Sequence, residues 1–308
     1  MFDQFWDELQ PIAHWRLDDY QARVSTGYAR MKNARVVICG LTRNTSRYLP
    51  QTIQRIEALG EQFQDYRVVI YENDSIDNTL SMLTDWERHN PNVTILSEER
   101  HDPVNPMMRC PSRGDRMARY RNVYRQYIAE HFSDFDYGIV VDTDLPGGWS
   151  LEGIANSFGH SRWDFMASNG IIRKQCFLNQ KEFQYDAWAF RQDEDFEPLS
   201  TKYVNHLSWN RGEPLVSVTS AFGGLGIYRM PALVECEYRG GDCEHVALHR
   251  QMKERGMNRL YLNPSQVVYY GQKYSRVWRW VRSTQNQTAS LQELVKTNLA
   301  HEKQLVNN

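Results

Sequence analysis

An α/β fold, a mixed sheet flanked by helices in one compact domain, is the class this sequence predicts. Short β-branched runs closed by polar residues recur along it: "ARVVICG" at 34–40, "YRVVIYEND" at 66–74, "NVTILSEE" at 92–99 and "YGIVVDTD" at 137–144. Between them the apolar residues fall at helical spacing, as in Leu49, Ile53, Ile56 and Leu59. Strand and helix alternating in this way is the pattern of a parallel sheet with crossover helices.

In chain order, residues 1–33 form a polar, partly helical lead-in. The first strand, Ala34 to Gly40, is followed by a helix over Thr45 to Leu59. The second strand leads into the helical stretch "TLSMLTDWERH", and the third into a loop holding Pro103, Pro106 and Pro111. "DRMARYRNVYRQYIAEHF" is then a helix, and the strand at 137–144 follows. From Gly148 the alternation weakens. "WDFMASNG", "PLVSVTSAFGG", "LGIYRM" and "QVVYYG" read as strands with irregular, aromatic-rich connections. The tail from Gln285 is polar and helix-prone. The expected division is therefore 1–33, 34–148, 149–272 and 273–308, with no internal repeat or linker.

Composition narrows the function classes. A formal charge of -2 over 308 residues gives no field that would draw nucleic acid. No apolar run approaches the roughly 20 residues that span a bilayer. The N-terminus mixes acids with aromatics and lacks a basic region, which argues against a signal peptide. Five scattered cysteines without a CxxC pair read as reduced thiols of a cytoplasmic protein, not as a zinc site. The 17 Tyr and 9 Trp suit stacking on sugars and bases, although aromatics also fill ordinary cores.

In a parallel sheet, ligands sit beyond the carboxyl ends of the strands, so the polar tips should converge on one rim. Asp142 and Asp144, two apart, place their carboxylates on one face about 7 Å from each other. Such a pair repels and raises its own pKa, a penalty that a divalent cation relieves. Hard oxygen ligands suit Mg²⁺ or Mn²⁺. The alternative is a strand-end turn in which the acids cap the helix after Trp149. At the second tip Glu72, Asn73 and Asp74 are placed to hydrogen-bond a ribose or base edge, with Asp77 to Thr79 capping the next helix. At the first tip, Gly40, Leu41 and Thr42 let a planar base approach the backbone. Arg109, Arg113, Arg116, Arg119 and Arg121 read either as a solvated helix face or as phosphate ligands.

"ENDSIDNT", "MARYRN", "VVDTDL" and "GGDCEH", in that order, resemble a nucleotide-sugar glycosyltransferase of the GT-A type. The wording is similar to the cryptococcal α-1,3-mannosyltransferase-like group and its bacterial and viral relatives, over roughly 35–271. The resemblance implies a nucleotide-sugar-binding half at 34–148 and an acceptor-binding half at 149–272. It implies a GDP- or UDP-sugar donor, mannose-like by preference, and a glycan acceptor. It places Asp144 on a Mn²⁺ or Mg²⁺ ion and Asp142 on the ribose or a metal-bound water. It gives an acid of "GGDCEH" to the acceptor hydroxyl and His245 to the metal shell, and among the arginines Arg121 or a neighbour is the expected aid at the diphosphate. Which acid serves, Glu244 or Asp242, stays open, since Asp242 also reads as a helix cap. The run Asp193, Glu194, Asp195 is the second choice. The glycines of "SAFGGLGIYR" suit either close approach to a sugar or a tight bend. "KYSRVWRWVRS" at 273–283 reads as a packed segment or as a peripheral contact with the inner membrane surface. Competing functions are a Mg²⁺-dependent nucleotidyltransferase, which wants a Gly-rich basic first loop, and a non-catalytic carbohydrate-binding protein.

Overall fold

The structure is a computed structural model that describes residues 9–105, 109–176 and 179–274. The segment 273–283, read from the sequence as packed or membrane-peripheral, lies almost wholly outside the described residues, which end at 274. The described residues divide into two compact units, a larger one of 9–105, 109–171 and 183–271 and a smaller one of 172–176, 179–182 and 272–274.

After a single 3-10 turn at His14–Arg16, α1 spans Leu17–Met31 and β1 spans Arg35–Thr42. Then come α2 (Leu49–Gly60), β2 (Asp65–Asn73), α3 (Thr79–His89), β3 (Val93–Glu98), α4 (Pro111–His131) and β4 (Tyr137–Asp142). The second half holds β5 (Gly148–Trp149), α5 (Leu151–Gly159), β6 (Phe165–Cys176), β7 (Asn179–Gln184) and α6 (Thr201–Asn205). It closes with β8 (Val216–Ser217), β9 (Leu225–Arg229), α7 (Met230–Glu235), α8 (Glu244–Glu254) and β10 (Leu260–Tyr274).

The strands run in the order β3-β2-β1-β4-β9-β6-β10-β5, with β8 beside β10. β1 is parallel to β2 and to β4, and β2 is parallel to β3. β9 pairs antiparallel with β4 and with β6. The sheet is therefore mixed and flanked by helices, as the sequence predicts. In the smaller unit β7 pairs with β6, and Arg173 Nε donates to Glu182 Oε1 at 2.7 Å.

Period-2 alternation sorts the strand residues between two cores. Val36, Ile38, Val68, Ile70, Ile139 and Val141 pack on one face against α1, α2, α3 and α5. Val37, Cys39, Val69, Tyr71 and Val140 pack on the other against α4, α7 and α8.

Three element boundaries depart from the sequence reading. α2 starts at Leu49 instead of Thr45, because Pro50 takes a first-turn position and residues 45–48 close a turn through Thr45 O. α4 starts at Pro111, a turn earlier than Asp115, for the same reason. Of "PLVSVTSAFGG" only Val216–Ser217 is strand. Ser220 bridges to Arg191 instead, and Gly223 and Gly224 turn the chain at φ of 71° and 88°.

Candidate active site

The chain runs outward from β1 to β2 and β3, then returns to place β4 on the other side of β1. That reversal is a topological switch point, where an open α/β sheet leaves a crevice at its carboxyl ends. Leu41 of β1 pairs with Asp142 of β4 there. Thr143 is tied on two sides: its Oγ1 donates to Leu41 O at 2.8 Å, and its carbonyl accepts from Thr52 Oγ1 at 3.0 Å. With Thr143 held inward, Asp142 and Asp144 flank it at the rim.

Asp142 is the hub of the rim. Its Oδ2 accepts from Tyr185 Oη at 3.3 Å, its Oδ1 lies 3.5 Å from Arg121, and its N–H donates to Gly224 O at 2.9 Å. Burial pushes its carboxyl up to about 7, Arg121 opposing the rise and Asp144, Asp186 and Glu244 adding to it. Asp144 is exposed to solvent, yet burial among neighbouring protein atoms also raises its carboxyl. Both facts fit a residue on the floor of a concave cleft. Asp186 is held by the N–H groups of Ala189 and Gly223, and burial raises it too. Tyr185 and Tyr270 stack with ring centroids 4.3 Å apart. Burial and the charges of Asp144 and Asp142 push Tyr270 up to about 12.

Arg121 reaches this rim from inside the protein. It is 2% exposed, and its Nε donates to Glu244 Oε1 at 2.8 Å. Glu244 is 4% exposed and opens α8. Behind it a hydrogen-bonded series enters the core. Ser220 Oγ lies 2.8 Å from His249 Nδ1, His249 Nε2 is 3.1 Å from Tyr228 Oη, and Tyr228 Oη is 3.3 Å from His245 Nδ1. Burial depresses both imidazoles, His249 to about 3, so both are neutral at pH 7. Two proton orders satisfy the series, one the reverse of the other; the one that turns an N–H toward Glu244 has Ser220 donate to His249, His249 to Tyr228, and Tyr228 to His245. His245 then carries its proton on Nε2, which has no hydrogen-bond partner and lies 3.7 Å from Glu244 Oε1.

The other residues singled out in the sequence fall into distinct settings. Gly40 is required by packing. A Cβ there would lie 2.6 Å from Val141 O and 3.3 Å from Thr143 Cγ2, so protein fills the space that the missing side chain leaves. Leu41 is half-buried, and the Thr42 hydroxyl is bonded to that of Thr45. Glu72 is buried and spends both oxygens on protein, accepting from Ser75 N at 2.8 Å and Ser97 Oγ at 2.7 Å. Asn73 Nδ2 donates to Asp74 Oδ2. Asp74, at φ 55°, gathers the N–H groups of Arg100, His101 and Asp102. Burial opposes its ionisation, but these donors and Asn73 outweigh it and hold the carboxyl down to about 2. The second tip is thus a clamp on the loop that begins at Arg100.

Asp242 does not cap α8. The N-cap is Cys243, with no side-chain bond, and the Asp242 carboxylate accepts from Arg191 at 2.8 Å and from Trp188 Nε1 at 3.2 Å. Its side chain is 47% exposed, against 5% for Glu244. Gly114 lets α4 press onto this loop, since a Cβ there would lie 2.1 Å from Asp242 O. In the acidic run, Asp193 accepts from Glu197 N and Glu194 pairs with Lys253. Arg109 donates to Thr201, Arg116 to Asn105, and Arg119 pairs with Asp102. Arg121 is paired with the rim carboxylates Asp142 and Glu244, while the charges of Arg113 and Arg109 bear on Asp144 and Asp186. The glycine pair 223–224 is a tight bend whose N–H and C=O groups pin Asp186 and Asp142.

Tyr185, Asp186 and Tyr270 were not foreseen. "YDAW" and "VVYYG" look like ordinary aromatic-rich strand ends, and only the fold brings them to Asp142.

Among the described residues no group of three or more His, Cys, Asp and Glu side chains is gathered as a metal cage. The donor chemistry nevertheless fits a hard divalent cation. Asp142 and Asp144 offer carboxylate oxygens whose ionisation is already opposed, and Mg²⁺-type ions usually take their remaining positions from water and phosphate. Among the described residues no helix is long and apolar enough to cross a membrane.

No family model matches the sequence, and no curated protein matches it. Among solved structures the chain is similar to the mannosyltransferase PcManGT from Pyrobaculum calidifontis in complex with GDP-Man and Mn²⁺. The identity is 13% and the TM-score 0.44, over 82% of this chain and 66% of that one. It is similar to S. aureus TarS in complex with UDP-GlcNAc at 14% identity and TM-score 0.45, over 79% and 59% of the two chains. A third is glucosyl-3-phosphoglycerate synthase from Mycobacterium tuberculosis in complex with UDP, at 11% and 0.44, over 82% and 76%. The chain spans 66% and 59% of the length of the first two.

Proposed function

We propose that this chain is a glycosyltransferase that moves a hexose, mannose-like by preference, from a GDP- or UDP-sugar to a hydroxyl of a glycan acceptor. The observation that supports it most is the rim at the β1/β4 switch point. There the charges of Asp144, Asp186 and Glu244 bear on Asp142, with Arg121 the countercharge paired with Asp142 and Glu244. Surplus negative charge at a ligand crevice is costly without a cationic partner, and the divalent ion that accompanies a diphosphate would supply one.

In this reading Asp144 and Asp142 would hold Mn²⁺ or Mg²⁺. When bound, such an ion supplies charge neutralisation at the departing diphosphate. Leu41 and Thr42 border the nucleoside. Asp74 acts on it through the loop it clamps, with Asn73 bonded to Asp74 and Glu72 bracing the tip through Ser75 and Ser97. Arg121 stays paired with Glu244 and keeps Asp142 oriented. Glu244 is therefore a positioning residue, and His245 supports it from behind. Asp242, the more open of the two "GGDCEH" acids, accepts the proton of the acceptor hydroxyl as a general base. Arg191 and Trp188 fix its direction while leaving lone pairs toward solvent.

A thermal-shift series with GDP, UDP, CDP and dTDP, each with and without Mn²⁺, tests the reading. A ligand bound only by the folded protein raises its stability by RT ln(1 + [L]/Kd). GDP or UDP should give the largest shift, and only with the metal present. Absence of any metal-dependent shift would remove the nucleotide-sugar reading.

A further inference from the structure

A second cavity, of about 290 Å³, lies among α1, α5, the 212–214 segment and β10, and shares no residue with the carboxylate rim. Its volume is at the small end of ligand pockets. Trp15 stands at its edge, 76% exposed, with the Arg16 guanidinium 4.1 Å from the ring centroid. Arg16 also donates to Gly212 O at 3.0 Å, which ties indole, guanidinium and loop together. An exposed indole held in this way offers a flat apolar surface with a defined orientation.

The cavity's polar groups narrow the occupant. Asn156 and Ser265 both line it, at 2% and 1% exposure. Asn156 Oδ1 accepts from Asn263, and Ser265 Oγ accepts from Gly212 N. Among the described residues, neither the Asn156 amide N–H groups nor the Ser265 O–H have an acceptor. An apolar occupant would bury these donors unpaired, at a cost. The walls add the carboxylates of Asp19 and Glu213 against the guanidiniums of Arg16 and Arg23. Arg23 is bonded to His160 Nδ1, and burial holds that imidazole neutral, with its pKa down to about 4. Anions meet Asp19 and Glu213, and cations meet the arginines. What remains is a neutral ligand with many hydroxyls, both donating and accepting, and an apolar face to lie on an indole.

We propose that this cavity binds one or two sugar units of a neutral oligosaccharide, at a site separate from the carboxylate rim. The proposal stands on the cavity's own chemistry and goes beyond the transferase reading. Calorimetric titration with mannotriose, cellotriose and triacetylchitotriose tests it, using the full chain, Trp15→Ala and Asp144→Asn. Trp15 is exposed, so an unchanged melting temperature is expected in Trp15→Ala. At least one trisaccharide should bind, weakened about tenfold or more by Trp15→Ala and unchanged by Asp144→Asn. No binding of any of the three at tens of millimolar would overturn it, as would equal binding to the Trp15 variant or loss confined to the Asp144 variant. Because no nucleotide is present, failure here leaves the donor-binding result standing, and the converse also holds.

Discussion

Arg121 Nε and Glu244 Oε1 meet at 2.8 Å in the interior, 123 residues apart in the chain, and join α4 to the start of α8. The same guanidinium lies 3.5 Å from Asp142, so the pair couples the rim to the core. Removing one member of a buried pair strands the other charge. Arg121→Met should therefore cost about 3–5 kcal/mol, more than Glu244→Gln, which leaves Asp142 as a partner. The double variant should cost less than the sum. Denaturant midpoints for the two single variants and the double variant check this, and additivity would show that the two residues act independently.

The buried titratable groups predict opposite pH signatures. Asp142 binds its proton more tightly folded than unfolded, so its contribution to stability falls as pH rises from about 4 to about 7. His249 binds its proton less tightly when folded. Its contribution is present above about 6.5 and is lost as pH falls toward about 3. The two oppose each other in the wild-type protein, so differences from variants are the readout. Relative to wild type, Asp142→Asn should become more stable as pH rises toward 7. His249→Gln should lose its disadvantage as pH falls below 6. Parallel stability curves for wild type and both variants would contradict the placement of these groups.

Asp74 is a loop clamp, and its loss should release the segment it gathers. Asp74→Ala leaves the N–H groups of Arg100, His101 and Asp102 without their acceptor, for a cost of about 1–3 kcal/mol. Hydrogen exchange at those three amides should accelerate, and donor KM should rise more than kcat falls. Unchanged exchange would mean that the loop is held by something else.

Much of this architecture was legible in the sequence because local and global signals agreed. "ARVVICG" and "YGIVVDTD" are short apolar runs whose alternate residues serve two cores, so their strand character shows without a structure. The role of Gly40 did not show: the sequence displays a glycine, but only the neighbouring β4 shows that its space is filled. Asp186, Tyr185 and Tyr270 reach Asp142 by tertiary folding, which periodicity cannot report. Asp242 looked like a helix cap because it precedes α8 by two residues, yet Arg191 and Trp188, some fifty residues away, decide its orientation.

The two acids of "GGDCEH" should separate cleanly. Asp242→Asn should lower transfer by roughly 10²–10⁴-fold, as removal of a positioned base does. Its stability loss should be smaller than that of Glu244→Gln, because the buried Arg191 loses its charged partner but can still donate to the half-exposed Asn amide. Glu244→Gln should lower stability first and transfer through Arg121. Measuring kcat and the melting temperature for both variants distinguishes them. If Glu244→Gln abolishes transfer at unchanged stability while Asp242→Asn is active, the roles are reversed.

The central claim is that Asp144 and Asp142 receive a metal-bound nucleoside diphosphate at the β1/β4 rim. The direct measurement is calorimetric titration of GDP and UDP into the wild type and Asp144→Asn, with and without Mn²⁺. Burial already opposes the Asp144 charge, so Asp144→Asn should leave the fold at least as stable as the wild type near pH 7. Binding to the wild type that requires Mn²⁺ and is lost in Asp144→Asn is the predicted result. Equal binding by the two proteins, or binding indifferent to Mn²⁺, would contradict it.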